Sequence, residues 1–154
     1  ILRTSSADFA NRTDFIAGYP LETNKEFNKL KNFIKEMNFE RMGIFEYSIE
    51  ENTPAALLTQ HGDKLKVKRT QELMDIYAEL SISRNRSLIG KNLKVIIDDK
   101  LDDNLYEARS QWDAPEIDQV VFVNSNIQLQ RGQIVDVHIN DAGNFDLSGD
   151  LVTW

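Results

Sequence analysis

The sequence lacks cysteine altogether, which excludes disulfide bonds and any iron–sulfur cluster held by the chain's own thiolates. Its two histidines, His61 and His138, are far apart, and neither has a spacing typical of a metal site, so we interpret both as structural or surface residues. Glycine-rich phosphate loops, Gly-x-Ser-x-Gly turns and supported Ser/His/Asp sets are also missing. Taken alone, the chain carries no recognisable catalytic machinery.

Long apolar runs are missing as well. No segment approaches the roughly 20 apolar residues needed to span a bilayer, and no cleavable signal is visible at the start. With 41% hydrophobic and 28% charged residues in 154, the composition is that of a soluble globular protein with one ordinary core or two small units. We expect no membrane contact and a cytoplasmic location.

Positive charge is scarce in the last part of the chain. Residues 1–89 hold 13 Lys/Arg and 13 Asp/Glu, whereas residues 90–154 hold 5 and 12 and therefore account for the whole net charge of −7. Nucleic acids are bound largely through Lys and Arg side chains that neutralise phosphates, so such a segment would on average repel a polyanion. Its charge favours a basic partner instead, because complementary charge speeds encounter and disfavours wrong partners.

The first 62 residues predict a strand, a helix and a second strand. A short apolar strand after residue 13 ends at Gly18 and Pro20. Thr23 and Glu26 have capping-box spacing, which predicts a helix over residues 24–38, and residues 42–47 read as the next strand. This order is typical of a parallel βαβ unit, a slice of an α/β fold. The polar residues 4–12 show no period and fit an insertion, a divergent loop or a break in the chain. The predicted helix has one apolar face, formed by Phe27, Leu30, Phe33, Ile34 and Met37.

The rest of the chain predicts a helix and then five strands. Residues 63–88 have helical periodicity, with Gly90 as a plausible stop. Five short antiparallel strands in about 65 residues fit a small OB-like barrel that binds ligands on its loops. The predicted strands are residues 92–98, 105–110, 120–123, 134–140 and 145–153.

Two motifs in the first part resemble radical-SAM methylthiotransferases. Ile-Ala-Gly-Tyr-Pro at residues 16–20 is similar to the strand-to-Gly-x-Pro pattern of many radical-SAM enzymes, although Leu21 stands where the family has glycine. Leucine adopts a positive φ less readily than glycine, so we expect the local turn to differ. Tyr-Ser-x-Glu-Glu-x-Thr-Pro-Ala at residues 47–55 resembles a segment shared in part with the tRNA-modifying branch of the family.

The most specific motif is Asp-Ala-Pro-Glu-Ile-Asp at residues 113–118. It resembles the branch that modifies an aspartate of a small-subunit ribosomal protein, although Ala108 and Gln119 replace expected glycines. Gly132 and residues 145–150 also fit that branch. The resemblance covers nearly all of residues 13–154. It implies the C-terminal part of a radical-SAM α/β domain at residues 1–62, a linker helix at 63–89 and an OB-like TRAM domain at 90–154.

The resemblance also implies an activity for a longer parent enzyme. Such an enzyme inserts sulfur at the β-carbon of an aspartate by radical chemistry and methylates it, using two 4Fe-4S clusters and S-adenosyl-L-methionine. The cluster cysteines are missing here, so we expect this fragment to be inactive alone and to bind no cofactor through its own cluster ligands. The strands could still form one wall of the S-adenosyl-L-methionine site, although apolar side chains on barrel strands are more often core. The candidate cofactor residues are Phe15, Ile16, Gly18, Phe45, Tyr47 and Ser48.

A second candidate site is the acidic loop around Trp112, which we interpret as an exposed aromatic. Asp113, Glu116 and Asp118 follow it, and an aromatic residue among acids is typical of a docking surface for a basic ribosomal protein. Arg109 is either an ion-pair partner of these acids or a contact in its own right. Two alternatives stay open: a fragment of a tRNA methylthiotransferase, and a non-enzymatic acidic binding module.

Overall fold

The computed structural model describes residues 10–153, and the chain divides into two compact units between Leu80 and Ser81. Most of the irregular stretch at residues 4–12 lies outside the described residues. The first unit contains β1 (Arg12–Ala17), α1 (Asn24–Met37), β2 (Arg41–Glu46), a short 3-10 helix (Pro54–Leu57) and most of α2 (Asp63–Arg86).

β1 and β2 pair in parallel, with Thr13 opposite Met42 and Ala17 opposite Glu46. Because side chains alternate between the faces of a strand, only one face of this two-stranded sheet lies on the helices. The predicted strand–helix–strand unit is confirmed. Its core is formed by Phe15, Ala17, Phe27, Leu30, Ile34, Met42, Ile44, Leu73, Ile76 and Leu80.

α1 begins and ends as its sequence predicts. The Thr23 hydroxyl accepts hydrogen bonds from the Lys25 and Glu26 amides at 3.2 and 3.5 Å and donates to the Glu26 carboxylate. At the other end Asn38 has a left-handed conformation, with φ of 47°, and donates its amide to the Ile34 carbonyl at 2.9 Å. These contacts satisfy orphan backbone groups at both ends of the helix.

α2 contributes apolar side chains to the core of the first unit. Leu73 and Ile76 are buried in the core of the first unit, and the helix ends at Arg86, before Gly90. Gly90 follows a turn, with φ of 81°, and donates its amide to the Ile139 carbonyl in the second unit. Leu88, predicted as helical, lies in that turn and packs against the core of the second unit. Neither helix in the described part of the chain is long and apolar enough to cross a membrane.

The second unit is a closed five-stranded barrel in the order β3-β4-β5-β7-β6, and the predicted closed barrel is confirmed. One pairing differs from the expected antiparallel set, because β7 lies between β5 and β6 and runs parallel to β5. The chain crosses from β5 to β6 through residues 125–133 before β7 returns, and strand pairing of this kind leaves no local signal in the sequence. The strands are β3 (Asn92–Asp102), β4 (Leu105–Ser110), β5 (Val120–Asn124), β6 (Ile134–Ala142) and β7 (Asp146–Leu151).

The barrel interior is filled by alternating apolar residues. Tyr106 is fully buried, and its hydroxyl accepts a hydrogen bond from the Leu129 amide at 3.2 Å, so the loop after β5 is attached to the core. β3 is longer than the predicted residues 92–98, because it continues to Asp102, and its pairing with β4 has two irregularities. The central side chains are Val95, Ile97, Tyr106, Val121, Val123, Val137, Ile139 and Leu147.

Candidate cofactor and docking surfaces

The sheet face opposite the helices carries an exposed apolar patch. Ile16 and Phe45 are neighbours in the parallel register and are 59% and 56% exposed. Gly43, two residues before Phe45, keeps the patch open, since a Cβ there would lie 2.8 Å from the Phe45 ring. Phe15, also a candidate cofactor residue, points the other way and packs against Phe33 and Phe39, with ring centroids 6.4 and 5.8 Å away. The structure therefore separates Phe15 from the exposed patch.

The loop after β1 is held by a buried ion pair. Gly18 has φ of 84° and donates its amide to the Glu22 carboxylate at 2.8 Å. The same carboxylate accepts from Arg69 Nη1 at 2.7 Å, and Arg69, which is 2% exposed, also donates to the Glu22 carbonyl at 2.8 Å. His61 Nε2 lies 3.0 Å from that carbonyl. Leu21 has no positive φ, so this turn requires no glycine at residue 21.

Tyr47 and Ser48 follow β2 beside this loop. The Tyr47 amide donates to the Ala17 carbonyl at 2.8 Å, which extends the contact between the strands, and its ring meets that of Tyr19 edge-on at 5.5 Å. The Nζ of the buried Lys66 lies 5.9 Å from the Tyr47 ring centroid. Ser48 is exposed.

Of the six candidate cofactor residues, Ile16 and Phe45 share one face, and Gly18 and Tyr47 lie at the strand ends. Glu22, Lys66 and Arg69 were missed. Glu22 lies two residues after the Gly-x-Pro motif and could have been noticed, whereas the contact of Arg69 with Glu22 joins residues 47 positions apart and leaves no local signal in the sequence.

An iron–sulfur cluster would need protein side chains as its ligands. The chain has no cysteine, and no group of three or more His, Asp or Glu side chains among residues 10–153 is arranged to hold a metal ion. The residues present therefore do not fit an iron–sulfur cluster. The exposed apolar patch beside the ends of two parallel strands does fit the flat adenine ring of S-adenosyl-L-methionine.

Two acidic side chains of the loop between β4 and β5 accept hydrogen bonds from residues of the same loop or its edge. Asp113 accepts the Ser110 hydroxyl, and Asp118 accepts the Ala114 amide at 2.7 Å while donating its own amide to the Ala114 carbonyl at 3.3 Å. These two carboxylates stabilise the turn. Gln119 is buried and donates to Asn85 Oδ1 at 3.0 Å.

Trp112 is not the exposed aromatic expected from the sequence. It is partly buried and packs against the barrel core, because the loop folds back over the end of the barrel. Arg109 pairs with Asp98 on the neighbouring strand instead of with the loop acids. The exposed tip of the loop consists of Glu116, which has φ of 62°, and Ile117, which is 71% exposed. Ile117 was not predicted as a contact.

Comparison with known proteins identifies both parts of the chain. Residues 89–152 match the model of the TRAM domain. A protein of Clostridioides difficile (strain 630) named ribosomal protein uS12 methylthiotransferase RimO is 42% identical over 153 residues, which cover 99% of this chain and 34% of that protein. The protein of that name from Thermoanaerobacter sp. (strain X514) is 46% identical over 140 residues, 90% of this chain and 32% of its own length. The chain spans about a third of the length of these relatives. The chain is thus similar over nearly all of its length to part of the RimO proteins, and its second unit carries a TRAM domain.

Proposed function

We propose that this chain is the C-terminal part of a radical-SAM enzyme that methylthiolates the β-carbon of an aspartate in the ribosomal protein uS12. The identity of 40–46% to RimO proteins over nearly all of the chain carries this proposal. In it, residues 1–62 belong to the radical-SAM domain, residues 63–89 link the two domains, and residues 90–154 form the TRAM domain. A ribosomal substrate places the enzyme in the cytoplasm.

The TRAM domain has the role of docking the basic protein substrate. Three of its five cations are engaged inside the domain, which leaves acidic groups in excess on its surface. Lys94 pairs with Asp136 at 3.0 Å, Lys100 with Asp103 at 3.5 Å, and Arg109 with Asp98. A surface of this charge attracts basic proteins and repels RNA.

The sheet face of the first unit has the role of receiving S-adenosyl-L-methionine. Ile16 and Phe45 supply an apolar surface for adenine, and Gly18, Tyr47 and Ser48 lie beside it at the strand ends. When bound, S-adenosyl-L-methionine supplies the radical and the methyl group. Both clusters would be held by cysteines outside this chain, so the chain alone is inactive in this proposal.

A salt-dependent titration tests the docking role. The 154-residue chain is titrated with purified uS12 and, in parallel, with a tRNA anticodon stem-loop. We expect binding to uS12 that weakens as salt rises and no comparable binding to the RNA. Binding to the RNA alone would contradict the proposal and favour a tRNA-modifying relative, and binding to neither would favour a non-substrate role for the domain.

A loop-tip variant sharpens this test. Glu116→Asn removes one charge and suits the left-handed backbone, because asparagine tolerates positive φ better than most residues. We expect this variant to weaken uS12 binding. The matched control Glu36→Gln, at an exposed position of α1, should leave binding unchanged.

A further inference from the structure

One end of the barrel contains a half-open cleft of about 430 Å³. It lies where the β3–β4 turn, the end of β5 and the end of β7 meet. Its lining is mostly amide and hydroxyl groups around a single carboxylate, with two aliphatic side chains at one side. The lining residues are Asn104, Asn124, Ser125, Asn126, Ile127, Asp150, Leu151 and Thr153.

The carboxylate of Asp150 is held in place by amides. Its Oδ1 accepts from Asn124 Nδ2 at 3.3 Å and its Oδ2 from Asn140 Nδ2 at 2.7 Å. Among residues 10–153, no lysine or arginine lies within ion-pair distance of it, in contrast to Asp98, Asp103 and Asp136. The carboxylate is therefore oriented and still lacks a cationic partner within the described chain.

The rest of the cleft wall is also fixed. The Ser125 hydroxyl, which is buried, donates to the Ile127 carbonyl at 2.7 Å, and the Ser125 amide donates to the Asn104 carbonyl at 3.0 Å. In the orientation that satisfies its hydrogen bonds, the Asn104 side-chain amide donates to the backbone oxygens of Asp103 and Ser125, at 3.2 and 3.3 Å. These bonds connect the β3–β4 turn to the end of β5. A binding site held in this way loses little conformational entropy when a ligand enters.

We propose that this cleft binds the guanidinium group of an arginine side chain in a basic protein segment. The proposal rests on the proposed docking function and names the site at which it occurs. A guanidinium presents five donors in a planar fork that suits a carboxylate, and each Asp150 oxygen keeps a second acceptor site after accepting one amide. Ile127 and Leu151 provide an apolar wall for the methylene stem, which arginine buries while its charged head stays in a polar setting.

The same lining disfavours the nucleic-acid contact that an OB-like barrel could make. No lysine or arginine of the described chain lines the cleft, and a phosphate there would lie beside the Asp150 carboxylate. Phosphate groups are bound through cationic side chains and amide donors, and the cleft adds negative charge instead. The observations thus favour a protein ligand.

The test titrates Nα-acetyl-arginine amide into the full 154-residue chain while NMR follows the side-chain amides of Asn104, Asn124 and Asn126. We expect saturable shifts at these groups, weaker shifts with the corresponding lysine amide, and about tenfold weaker arginine binding in Asp150→Asn. Asp141→Asn, which removes an exposed strand carboxylate outside the cleft, should bind the probe as the parent does. Equal binding by both variants would overturn the proposal.

A second variant tests the cleft independently, in case Asp150→Asn fails to fold. Asn126 is exposed, and Asn126→Arg places a cation at the rim that should occupy the cleft and block the probe without disturbing the core. Undiminished probe binding in this variant, or binding of guanosine monophosphate in preference to the arginine probe, would count against the proposal.

Titration with uS12 separates the two hypotheses. If the parent chain binds uS12 and Asp150→Asn binds it equally well, the cleft proposal fails while the docking function stands. If the parent chain does not bind uS12, the docking function fails, and the arginine-probe titration alone decides whether the cleft recognises guanidinium.

Discussion

Arg69 combines burial with several hydrogen bonds in the first unit. It contacts Glu22 twice and donates to Asn24 Oδ1 at 3.1 Å, and its guanidinium lies 5.1 Å from the Phe27 ring centroid. Removing one partner of a buried ion pair leaves the other charge uncompensated, which typically costs about 3–5 kcal/mol. Arg69 therefore stabilises the loop that follows β1.

We predict that Arg69→Met lowers the free energy of unfolding of the first unit by about 3–5 kcal/mol. Native-state hydrogen exchange at the β1 and β2 amides measures this change. Lys68→Met, on the same helix but exposed, is the matched control and should change protection by less than about 0.5 kcal/mol. Equal effects of the two variants would show that the ion pair does not hold the loop.

Gly149 lies on β7, where the backbone of β6 leaves no room for a Cβ atom. Its φ is not in the left-handed region, so its requirement is steric: a Cβ there would collide with the His138 carbonyl and lie 2.9 Å from Val137 Cγ1. We predict that Gly149→Ala destabilises the barrel by about 1–3 kcal/mol in urea denaturation followed by Trp fluorescence. Ser148→Ala, on the same strand, should have a smaller effect; a neutral Gly149→Ala would mean that β6 and β7 can separate without cost.

At the scale of single residues, the sequence predicts which residues cap a helix better than it predicts the surroundings of the candidate site residues. The Thr23 cap follows from local chemistry and is where it was expected. Trp112 and Arg109 were misjudged because their environment is set by strands that are distant along the chain. From the sequence, an acidic loop next to an aromatic residue is interpreted as a surface patch. In the structure, Asp113 and Asp118 instead accept hydrogen bonds that stabilise the loop's own turn.

Among the elements, α1 offers the clearest test of a local interaction. Loss of an N-cap hydroxyl leaves amides at the start of the helix without an acceptor. We predict that Thr23→Ala destabilises the first unit by about 1 kcal/mol, measured as faster hydrogen exchange in α1. The exposed Thr59, which caps no helix, provides the control Thr59→Ala, and an equal effect there would contradict the capping role.

Helices and strands were predictable because their signals are periodic and local. β4 spans the predicted residues 105–110, and α1 and α2 begin at the predicted residues. The length of β3 and the parallel pairing of β5 with β7 were not predictable, because bulges and strand order depend on how the whole barrel closes. Composition thus indicates a barrel without indicating its connections.

For the whole molecule, the two units differ in how their strand edges are covered. Every strand of the barrel has two neighbours, whereas within the described chain β1 and β2 each have one. Open edges expose backbone groups to solvent. We predict that the β1 and β2 amides are less protected from hydrogen exchange than those of β3 to β7. Equal protection would indicate self-association of the first unit through these edges.

The candidate sites were predictable to different degrees at this scale. Counting charges along the chain was enough to predict an acidic barrel, and its basic partner stays a prediction. The cleft around Asp150 was not predictable, because its polar groups come from three chain segments that meet only when the barrel closes. Polar residues scattered in loops carry no signal until the fold brings them together.

The position of β7 has a consequence for biosynthesis. β7 is the last strand of the described chain and lies between β5 and β6, so these two strands cannot be joined until residues 146–151 have been made. On the ribosome, the barrel can close only after β7 has left the exit tunnel. A premature stop before residue 146 would therefore leave β5 and β6 without the strand that joins them, and the sheet could not close.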